Sequence, residues 1–518
     1  HHDEPGDTAL ASVTEPGRWG YGMFFFILRR FAVTVPILAA STFLVFGLVT
    51  ISGDPLAQYR TSQSPNRAQI LAQARDRLDL DRAFPARYWD WLKGVVRLDF
   101  GQNKGGQEVY PILKDALVTT FRLVMLATVL SIIIGLVIGI ISAVRQYSAF
   151  DYGTTFASFL FYSLPVFWLA VLLKQFGAIE LNDYLEQPTV SFTVAVAVGV
   201  MTGFVVSTVT GGPWRRRLPV LAVTAVISTA LLLLADSTDW ILNPGLSPVA
   251  VGVSAAIAGV LATMAFAPLS KRTVLVSGVA SAMIGFVGSL VFHGWLDEPS
   301  WVDLFQLLAM SLLVGVIVGA AVGGIERATA IKAGTTATVF VGLVVVADEF
   351  ISAWKPGRTI ATVGPQTANI KGTFWERMID YASHQVLPSL ALALIGLATY
   401  ARFTRASMLE TLNSDYVRTA KAKGLPATQV VLRHGFRTAL IPVTTVITLS
   451  FATVIEGATI TERVFGWSGM GTLFVKGLSD VDPYPVMAFL VVVSVSIVFL
   501  NALTDVLYAY LDPRIRNE

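Results

Sequence analysis

Cysteine is absent from this chain of 518 residues, and histidine and charged residues are scarce. Without cysteine, disulfide bonds and thiol chemistry are excluded. The internal histidines, His293, His384 and His434, are scattered and form no H-x3-H pattern beside an acid, so we predict no metal site. The sequence also shows no Ser-His-Asp or paired-carboxylate arrangement, and we predict no catalytic residue.

Nucleotide motifs are also missing. No G-x4-G-K-[ST] run occurs, so we do not expect this chain to hydrolyse ATP. The glycines of "GWSGMG" (Gly466, Gly469 and Gly471) follow an apolar run rather than a strand, and we expect them to allow tight turns in an outer loop. The net charge of +3 is close to neutral for this length and argues against a nucleic-acid partner.

Apolar residues are abundant. They make up 54% of the chain, charged residues make up only 14%, and the mean hydropathy is +0.64. Soluble domains carry roughly 25% charged residues. A membrane span needs about 20 mostly apolar residues. On this basis the sequence predicts twelve spans, near 31–51, 119–143, 154–176, 190–209, 219–235, 247–267, 273–293, 303–323, 335–351, 386–403, 439–460 and 485–508.

The basic residues of the short loops predict the orientation. Arg29 and Arg30 precede the first span, which places the N-terminus in the cytoplasm. In the middle of the chain, loops with Arg215–Arg217, Lys271–Arg272, or Arg327 and Lys332 alternate with loops that contain acids and no Lys or Arg. The longer loops 52–118 and 352–385 break the pattern, as long loops do more easily. The first twenty residues lack a signal's apolar core, so we expect no cleaved signal. With twelve spans, the C-terminus is also cytoplasmic.

A polar stretch, "NSDYVRTAKAKGLPATQVVLRHGFRTALIP", separates the predicted spans 386–403 and 439–460 and is predicted to face the cytoplasm. Ser414 is a suitable N-cap, and Gly424 is placed to end the helix as a C′ glycine. Pro426 is expected to open a second short helix, about Ala427–Phe436, as its first residue. The small residues Ala420, Ala422 and Gly424 would let another surface approach closely. The alternative is an ordinary solvated loop whose basic residues only set the topology.

Other features give weaker predictions. In the segment 52–118, residues 69–80 have a helical pattern with Ile70, Ala74 and Leu78 on one side. Trp89 and Trp91 are expected at the membrane interface. Glu456 lies toward the outer end of a predicted span, where it is either functional or simply interfacial. Glycines repeat every four residues and predict close helix contacts, at Gly135 and Gly139 and again at Gly315, Gly319 and Gly323.

Several motifs in order resemble one family. "DYVRTAKAKGL" is similar to the cytoplasmic coupling loop of ABC importer permeases, whose general pattern is E-A-A-x3-G. Here Arg418–Gly424 fills it, and only Ala420 and Gly424 match. The variant is close to that of the dipeptide, oligopeptide and nickel group. "FFFILRRFAVTVPIL", "SGDP", "LDLDRAFPARYWDWLKGVVRLDFG", "SLPVFWLAVLL", "RFTRASMLETL", "TERVFGWSGMG" and "DPRIR" also resemble that group, and together they span about 20–178 and 373–516.

The resemblance implies a fold and a domain arrangement. The chain would be an all-α membrane protein with a type I ABC importer permease core of six transmembrane helices and about six additional inserted transmembrane helices. The predicted parts are a polar tail (1–20), the first half of the core (21–178) with an outer subdomain (52–118), an inserted module (179–372), and the second half (373–518) with a coupling loop (403–438). The module is expected to be a peripheral helical structure, although a separate transport or regulatory role stays open.

The resemblance also implies a function. The chain would be the permease subunit of a multi-pass importer in the plasma (inner) membrane that moves dipeptides or oligopeptides; nickel or another small solute is the alternative cargo. Implied partners are a second homologous permease, two ATPases that hold the ATP and Mg, a solute-binding protein, the peptide and membrane lipids. No cofactor would be bound by this chain itself.

Two sets of residues are candidates for partner contacts. The ATPase-coupling residues would be Asp415, Tyr416, Val417, Arg418, Thr419, Ala420, Lys421, Ala422, Lys423, Gly424 and Leu425. On the outer side, near the binding protein, the candidates are Glu462, Gly466, Trp467, Gly469 and Gly471; for Glu462 a hydrogen bond within the outer loop is expected. The rival interpretations are a twelve-span secondary transporter, which predicts internal repeats and charges within the spans, and a membrane scaffold.

Overall fold

The computed structural model describes the backbone of residues 18–60, 65–355 and 357–511, and the side chains of these except 18–31, 33, 34, 58, 448–457 and 501–511. Apart from one isolated bridge between Gln102 and Glu108, these residues contain no β-structure, so the all-α prediction is confirmed. The helices are α1 (Arg18–Ile51), α2 (Ala57–Arg60), α3 (Arg67–Arg77), α4 (Phe84–Val95), α5 (Val109–Val144), α6 (Ala149–Ser163), α7 (Val166–Lys174), α8 (Glu180–Glu186), α9 (Phe192–Thr210), α10 (Trp214–Ser237), α11 (Pro248–Phe266), α12 (Arg272–Val291), α13 (His293–Asp297), α14 (Trp301–Val322), α15 (Arg327–Ser352), α16 (Phe374–Leu412), α17 (Asp415–Ala422), α18 (Ala427–Gln429), α19 (Phe436–Val464), α20 (Met470–Ser479) and α21 (Pro483–Leu511).

Among the described helices, ten are long and apolar enough to cross a membrane, and the number is eleven if one bent pair of helices counts as a single span. The sequence predicts twelve. The predicted span 154–176 is broken by a bend of 103° between α6 and the helical segment Val166–Glu186. Pro165 causes the break, because proline disfavours the helical conformation of the preceding residue, and Leu164 is extended. The predicted span 31–51 lies within α1, a helix of 34 residues, whose part Val35–Ile51 is apolar.

The chain divides into two compact units. The first draws on described residues of His1–Val124, Glu410–Glu462 and Ser468–Glu518. Its largest apolar cluster joins the segment after α1 to the end of the chain, through Phe46, Leu78, Tyr88, Met470 and Met487, all buried. The cluster gives α2–α4 a core shared with α1, α20 and α21.

The predicted helix 69–80 is present as α3, with Ala74 and Leu78 buried as expected. It ends at Arg77, and Asp79 adopts a left-handed conformation with φ of 49°. Trp89 is 56% exposed and is open to a membrane interface, whereas Trp91 is 5% exposed and packs in the apolar cluster. Two residues apart on a helix, these side chains point about 200° from each other. Trp89 and Trp91 therefore cannot both contact the same surface.

Asp482, between α20 and α21, is a buried acid in the first unit. Its side chain accepts a hydrogen bond of 2.6 Å from the backbone N–H of Lys104. The Lys104 ammonium lies 3.0 Å from the carboxylate of Asp480. Burial raises the pKa of Asp482 from 3.8 to about 6, against the lowering effect of hydrogen bonds from the backbone N–H groups of Lys104 and Tyr484 and of the Lys104 charge. The native unit therefore holds this proton at a pH where the unfolded chain has lost it.

We expect the stability of the purified chain to fall as pH rises from about 4 to 6. In that window the native state binds more protons than the unfolded state, which makes the slope of unfolding free energy against pH negative. A shift of two pKa units corresponds to roughly 3 kcal/mol. Thermal unfolding in detergent measures the effect. Asp482→Asn, which keeps the shape, should flatten this part of the profile; an unchanged slope in that variant would assign the pH dependence to other groups.

The second unit comprises Met125–Leu409 and Arg463–Trp467. Within it α9 packs on α10, and α11, α12, α14 and α15 pack together. Ser191, Ser247 and Ser300 each accept a backbone N–H and so fix the starts of α9, α11 and α14. The domain boundaries given above stay a prediction.

The glycine repeats mark close helix contacts, as predicted. A Cβ atom on Gly315 would lie 2.4 Å from Thr335 Cα, and one on Gly319 would lie 2.5 Å from Ile331 Cα. Gly135 and Gly139 on α5 face α16 in the same way, where a Cβ atom would lie within 2.7 Å of a side chain. No side chain fits at these positions, so the helix backbones touch.

Candidate coupling site

The predicted coupling helix is present as α17, at the start of an elbow that we define as Ser414–Gly435. Val417 and Ala420 are three residues apart and therefore share one face. They are 0% and 6% exposed, and they pack on Val430 with Leu412 and Leu425 at the edge. The elbow thus has a small apolar core of its own, which holds α17 against the chain that follows.

The two ends of α17 lie where the sequence predicts. Ser414 is the N-cap residue by backbone conformation, but its hydroxyl donates to the carbonyl of Thr411 at 2.6 Å and makes no capping bond. The prediction that the Ser414 side chain caps the helix is therefore wrong. Gly424 follows the C-cap and has φ of 74°, the left-handed conformation that glycine adopts without strain. This glycine lets the chain reverse direction.

The second short helix is not a separate element. Pro426 is the N-cap of α18 rather than its first residue, and α18 continues through a π-helical turn, Val430–Gly435, directly into α19. The sequence contains no proline between Pro426 and Pro442, so nothing stops the helix there. The prediction of a second short helix across the membrane surface is wrong: the elbow is joined to a long helix.

The outer face of α17 is free of contacts with the elbow's core. Arg418 is 70% exposed at its side chain and pairs only loosely, at 3.7 Å, with the fully exposed Asp415. Of the predicted coupling residues, Val417 and Ala420 are buried, Leu425 is half-buried, and the exposed ones are Asp415, Tyr416, Arg418, Thr419, Lys421, Ala422, Lys423 and Gly424. The expectation that Ala420 offers a small side chain to another surface is therefore wrong, whereas Ala422 and Gly424 are exposed.

A buried ion pair on α16, in the second unit, was not predicted. The guanidinium of Arg405 donates to both carboxylate oxygens of Asp151, at 2.6 and 2.9 Å. Asp151 also accepts from the hydroxyl of Ser142 and the N–H of Tyr147. It is 2% exposed. The signal in the sequence was Ser148 three residues before Asp151, a helix start that places this acid at the first turn of α6.

The predicted outer-loop residues fall into two groups. In the first unit, Glu462 is fully buried and accepts hydrogen bonds from the Thr120 hydroxyl and, at 2.9 Å, from the Thr472 N–H. Thr120 in turn accepts from the N–H of Met470 at 2.8 Å. We call Thr120, Glu462, Met470 and Thr472 the Glu462 cluster. The predicted hydrogen-bonding role of Glu462 is confirmed, but a buried carboxylate does not face a partner.

The glycines beside this cluster are explained by close approach rather than by turns. A Cβ atom on Gly469 would lie 2.2 Å from Glu462 Oε1, and one on Gly471 would lie 2.5 Å from Thr459 Cα. Gly469 is the N-cap residue of α20 and Gly471 lies inside that helix, so the tight-turn expectation is wrong for both.

In the second unit, Gly466 does have the left-handed conformation expected of a turn, with φ of 64°. Beside it, the N–H of Gly364 donates to the carbonyl of Phe465 at 2.8 Å. Trp467 is 1% exposed. Of the predicted outer-loop residues only Gly466 is exposed, so this set does not form a contiguous binding surface.

The remaining predictions give no second site. The side chain of Glu456 lies outside the described residues. His293 lies 3.2 Å from Glu349, and the ring of His384 contacts the backbone carbonyl of Asp380 at 2.8 Å. Among the residues that the structure describes, no group of three or more His, Cys, Asp or Glu is placed to hold a metal ion.

The number of long apolar helices defines a multi-pass membrane protein. Residues 135–517 match the family model described as "Binding-protein-dependent transport system inner membrane component". The chain belongs to this family. The type I permease fold expected from the sequence is thereby confirmed, and the chain is a transport permease subunit rather than a catalytic one.

Curated relatives agree. The chain is 26% identical over 492 residues to an oligopeptide transport system permease protein of Mycobacterium tuberculosis (strain ATCC 25618 / H37Rv), covering 95% of this chain and 98% of that protein. It is 25% identical over 501 residues to a dipeptide transport system permease protein of Escherichia coli (strain K12), covering 96% and 100%. A glutathione transport system permease protein of Escherichia coli O1:K1 / APEC is 45% identical over 138 residues, 26% of this chain and 45% of that protein.

Proposed function

We propose that this chain is the permease subunit of an ATP-driven ABC importer that moves peptides delivered by a solute-binding protein. One observation carries the coupling role. The outward face of α17 is exposed, while its inward face fixes it to a continuous helix that leads into the membrane bundle. Peptide cargo is supported by the relatives, which are named as oligopeptide, dipeptide and glutathione permeases.

The exposed face of the elbow is suited to bind in a groove of an ATPase. Its exposed residues Asp415, Arg418 and Thr419 are polar or charged and lie opposite the buried Val417 and Ala420. A partner that grips this face therefore leaves the elbow's apolar core intact. In this proposal two ATPases bind ATP and Mg, a second homologous permease completes the pathway, and this chain holds no cofactor. The elbow and both chain termini are cytoplasmic.

The absence of cysteine makes the docking test specific. In the assembled transporter, we expect Thr419→Cys to cross-link to an ATPase subunit through a short heterobifunctional reagent that joins the introduced thiol to a lysine amine of the ATPase, with a yield that changes on ATP binding. Thr419 is exposed and on the outward face of α17. The matched control is Ser479→Cys, an exposed residue at the end of α20 that belongs to the predicted outer side. Cross-linked chains are counted by mass spectrometry.

Two outcomes would contradict the docking role: no cross-link from Thr419→Cys in a fully assembled complex, or equal cross-linking from Ser479→Cys. Cargo is tested separately, by uptake of labelled dipeptides into vesicles with and without ATP. Uptake of nickel but not of peptides would show that nickel is the cargo. Peptide uptake driven by an ion gradient without ATPases would support the secondary-transporter alternative.

A further inference from the structure

An apolar groove of about 430 Å³ lies in the second unit, between the halves of α12, α14 and α15 that adjoin α13. Ile284, Phe292, Leu308 and Val346 are among the residues that line it. All three helices are membrane spans by length and hydropathy, so the surroundings of the groove are hydrocarbon rather than water. The transport function proposed above does not use this groove.

Glycines create the space. A Cβ atom on Gly288 would meet nothing within 4 Å, and Cβ atoms on Gly285 and Gly342 would come no closer than 3.7 and 3.5 Å to a neighbour. This distinguishes them from Gly315 and Gly319, where helix backbones touch. The groove is thus not a helix contact, and it has room for a ligand.

The groove offers no free hydrogen-bonding group among its three hydroxyl residues. Ser289 donates to the carbonyl of Phe286, Ser311 donates to that of Leu307, and Thr338 donates to that of Ser311, at 2.7, 2.9 and 2.8 Å. Burying a polar ligand here would leave its groups unpaired, which costs free energy. An aliphatic chain has no such cost.

The rim at one end of the groove is aromatic and acidic. Trp295 and Trp301 are 48% and 61% exposed, as expected for tryptophan at the level of lipid headgroups. Segment 292–303 contains the acids Asp297, Glu298 and Asp303 and one basic residue, His293, which lies 3.2 Å from Glu349 and 3.9 Å from Asp297. Glu298 accepts from the N–H of Phe374 and Asp303 accepts from Ser300, so Asp297, whose side chain is 66% exposed, is the acid most open to a ligand. This charge attracts an ammonium group and repels a headgroup with net negative charge.

We propose that this groove binds one acyl chain of a phospholipid whose headgroup carries a primary ammonium, with that headgroup held at the acidic rim. The apolar lining selects the chain, and the rim selects the headgroup. The inserted part of the molecule then contains a lipid site of defined composition preference.

The test uses the purified full chain reconstituted into vesicles of equal phosphatidylethanolamine and phosphatidylglycerol, then re-extracted and washed in detergent. Retained lipid is quantified by mass spectrometry. We expect the native chain to retain phosphatidylethanolamine in at least threefold excess over phosphatidylglycerol. Gly288→Phe should reduce the retained lipid at least fivefold, because the ring fills an open space in the groove.

Gly153→Phe is the matched control, since Gly153 is also a helical glycine with nothing within 4 Å, on α6 and outside the groove. It should retain as much lipid as the native chain. Gly342→Leu provides a second groove variant should Gly288→Phe fail to fold. Asp297→Lys should keep the total lipid and lose the headgroup preference. Unchanged retention in a folded groove variant, or no retained lipid in the native chain, would overturn the site; preference for phosphatidylglycerol would overturn the role of the rim.

Discussion

Asp151→Ala is expected to lower the free energy of unfolding of the chain by about 3 kcal/mol, at the lower end of the cost of breaking a buried ion pair. The native carboxylate is 2% exposed and accepts from Arg405, Ser142 and Tyr147. Its removal leaves a guanidinium and two further donors without their acceptor. The lower end applies because the Arg405 side chain is 29% exposed and regains part of its hydration. Denaturant or thermal unfolding in detergent measures the loss.

A matched pair elsewhere in the chain separates burial from charge. Arg75 and Asp81 form an ion pair of the same 2.6 Å length, but their side chains are 60% and 67% exposed. Asp81→Ala should therefore cost less than about 1 kcal/mol. In a double-mutant cycle, Arg405→Ala should cost less in the Asp151→Ala background than in the native chain. Strict additivity would show that the two residues do not interact energetically.

Gly471→Ala is expected to be the most damaging single-methyl change in the described part of the first unit, with a loss of at least about 3 kcal/mol, the upper range for overpacking. The added Cβ atom would lie 2.0 Å from Thr459 Oγ1 and 2.5 Å from Thr459 Cα. Rotating the threonine side chain relieves the first contact but not the second, so the backbones of α19 and α20 must separate. That separation would also lengthen the hydrogen bond from the Thr472 N–H to Glu462.

Gly153→Ala is the control for this change, because the same methyl group meets open space on α6. Replacing a helical glycine by alanine at such a position raises stability by up to about 1 kcal/mol. The two alanine variants should therefore differ in sign. Equal apparent melting temperatures would mean that α20 moves away from α19 without cost, and the close contact would then be of no energetic importance.

Local chemistry made some features predictable. Gly424 predicts the end of α17 because the left-handed backbone conformation there favours glycine. The glycines repeated at i and i+4 predict helices in close contact. The apolar runs predicted nearly all the spans because hydrophobic length is a local property. The sequence correctly predicts that α17 is a helix. It does not predict which face of α17 is buried.

The predictions that failed depend on contacts between residues far apart in the sequence. The partner of Arg405 lies 254 positions earlier in the chain, and neither residue alone signals the pair. Trp91 and Ala420 were assigned by residue type, whereas their burial depends on which segments fold against them. A glycine in the sequence predicts either a turn or a close helix contact, and at Gly469 and Gly471 only the neighbouring Thr459 and Glu462 decide between the two. The second helix of the elbow was ended too early because a π-helical turn has no sequence signature comparable to a proline.

The continuity of α18, the π-helical turn and α19 has a mechanical consequence. Helix α19 has 29 residues and a length of about 43 Å, with the elbow at its first residue and the Glu462 cluster close to its last. Two places near the elbow interrupt the regular α-helical hydrogen bonding: the wide turn at Val430–Gly435 and Pro442, which has no backbone N–H to donate. A displacement of the elbow is therefore absorbed in part at these two places before it reaches the Glu462 cluster.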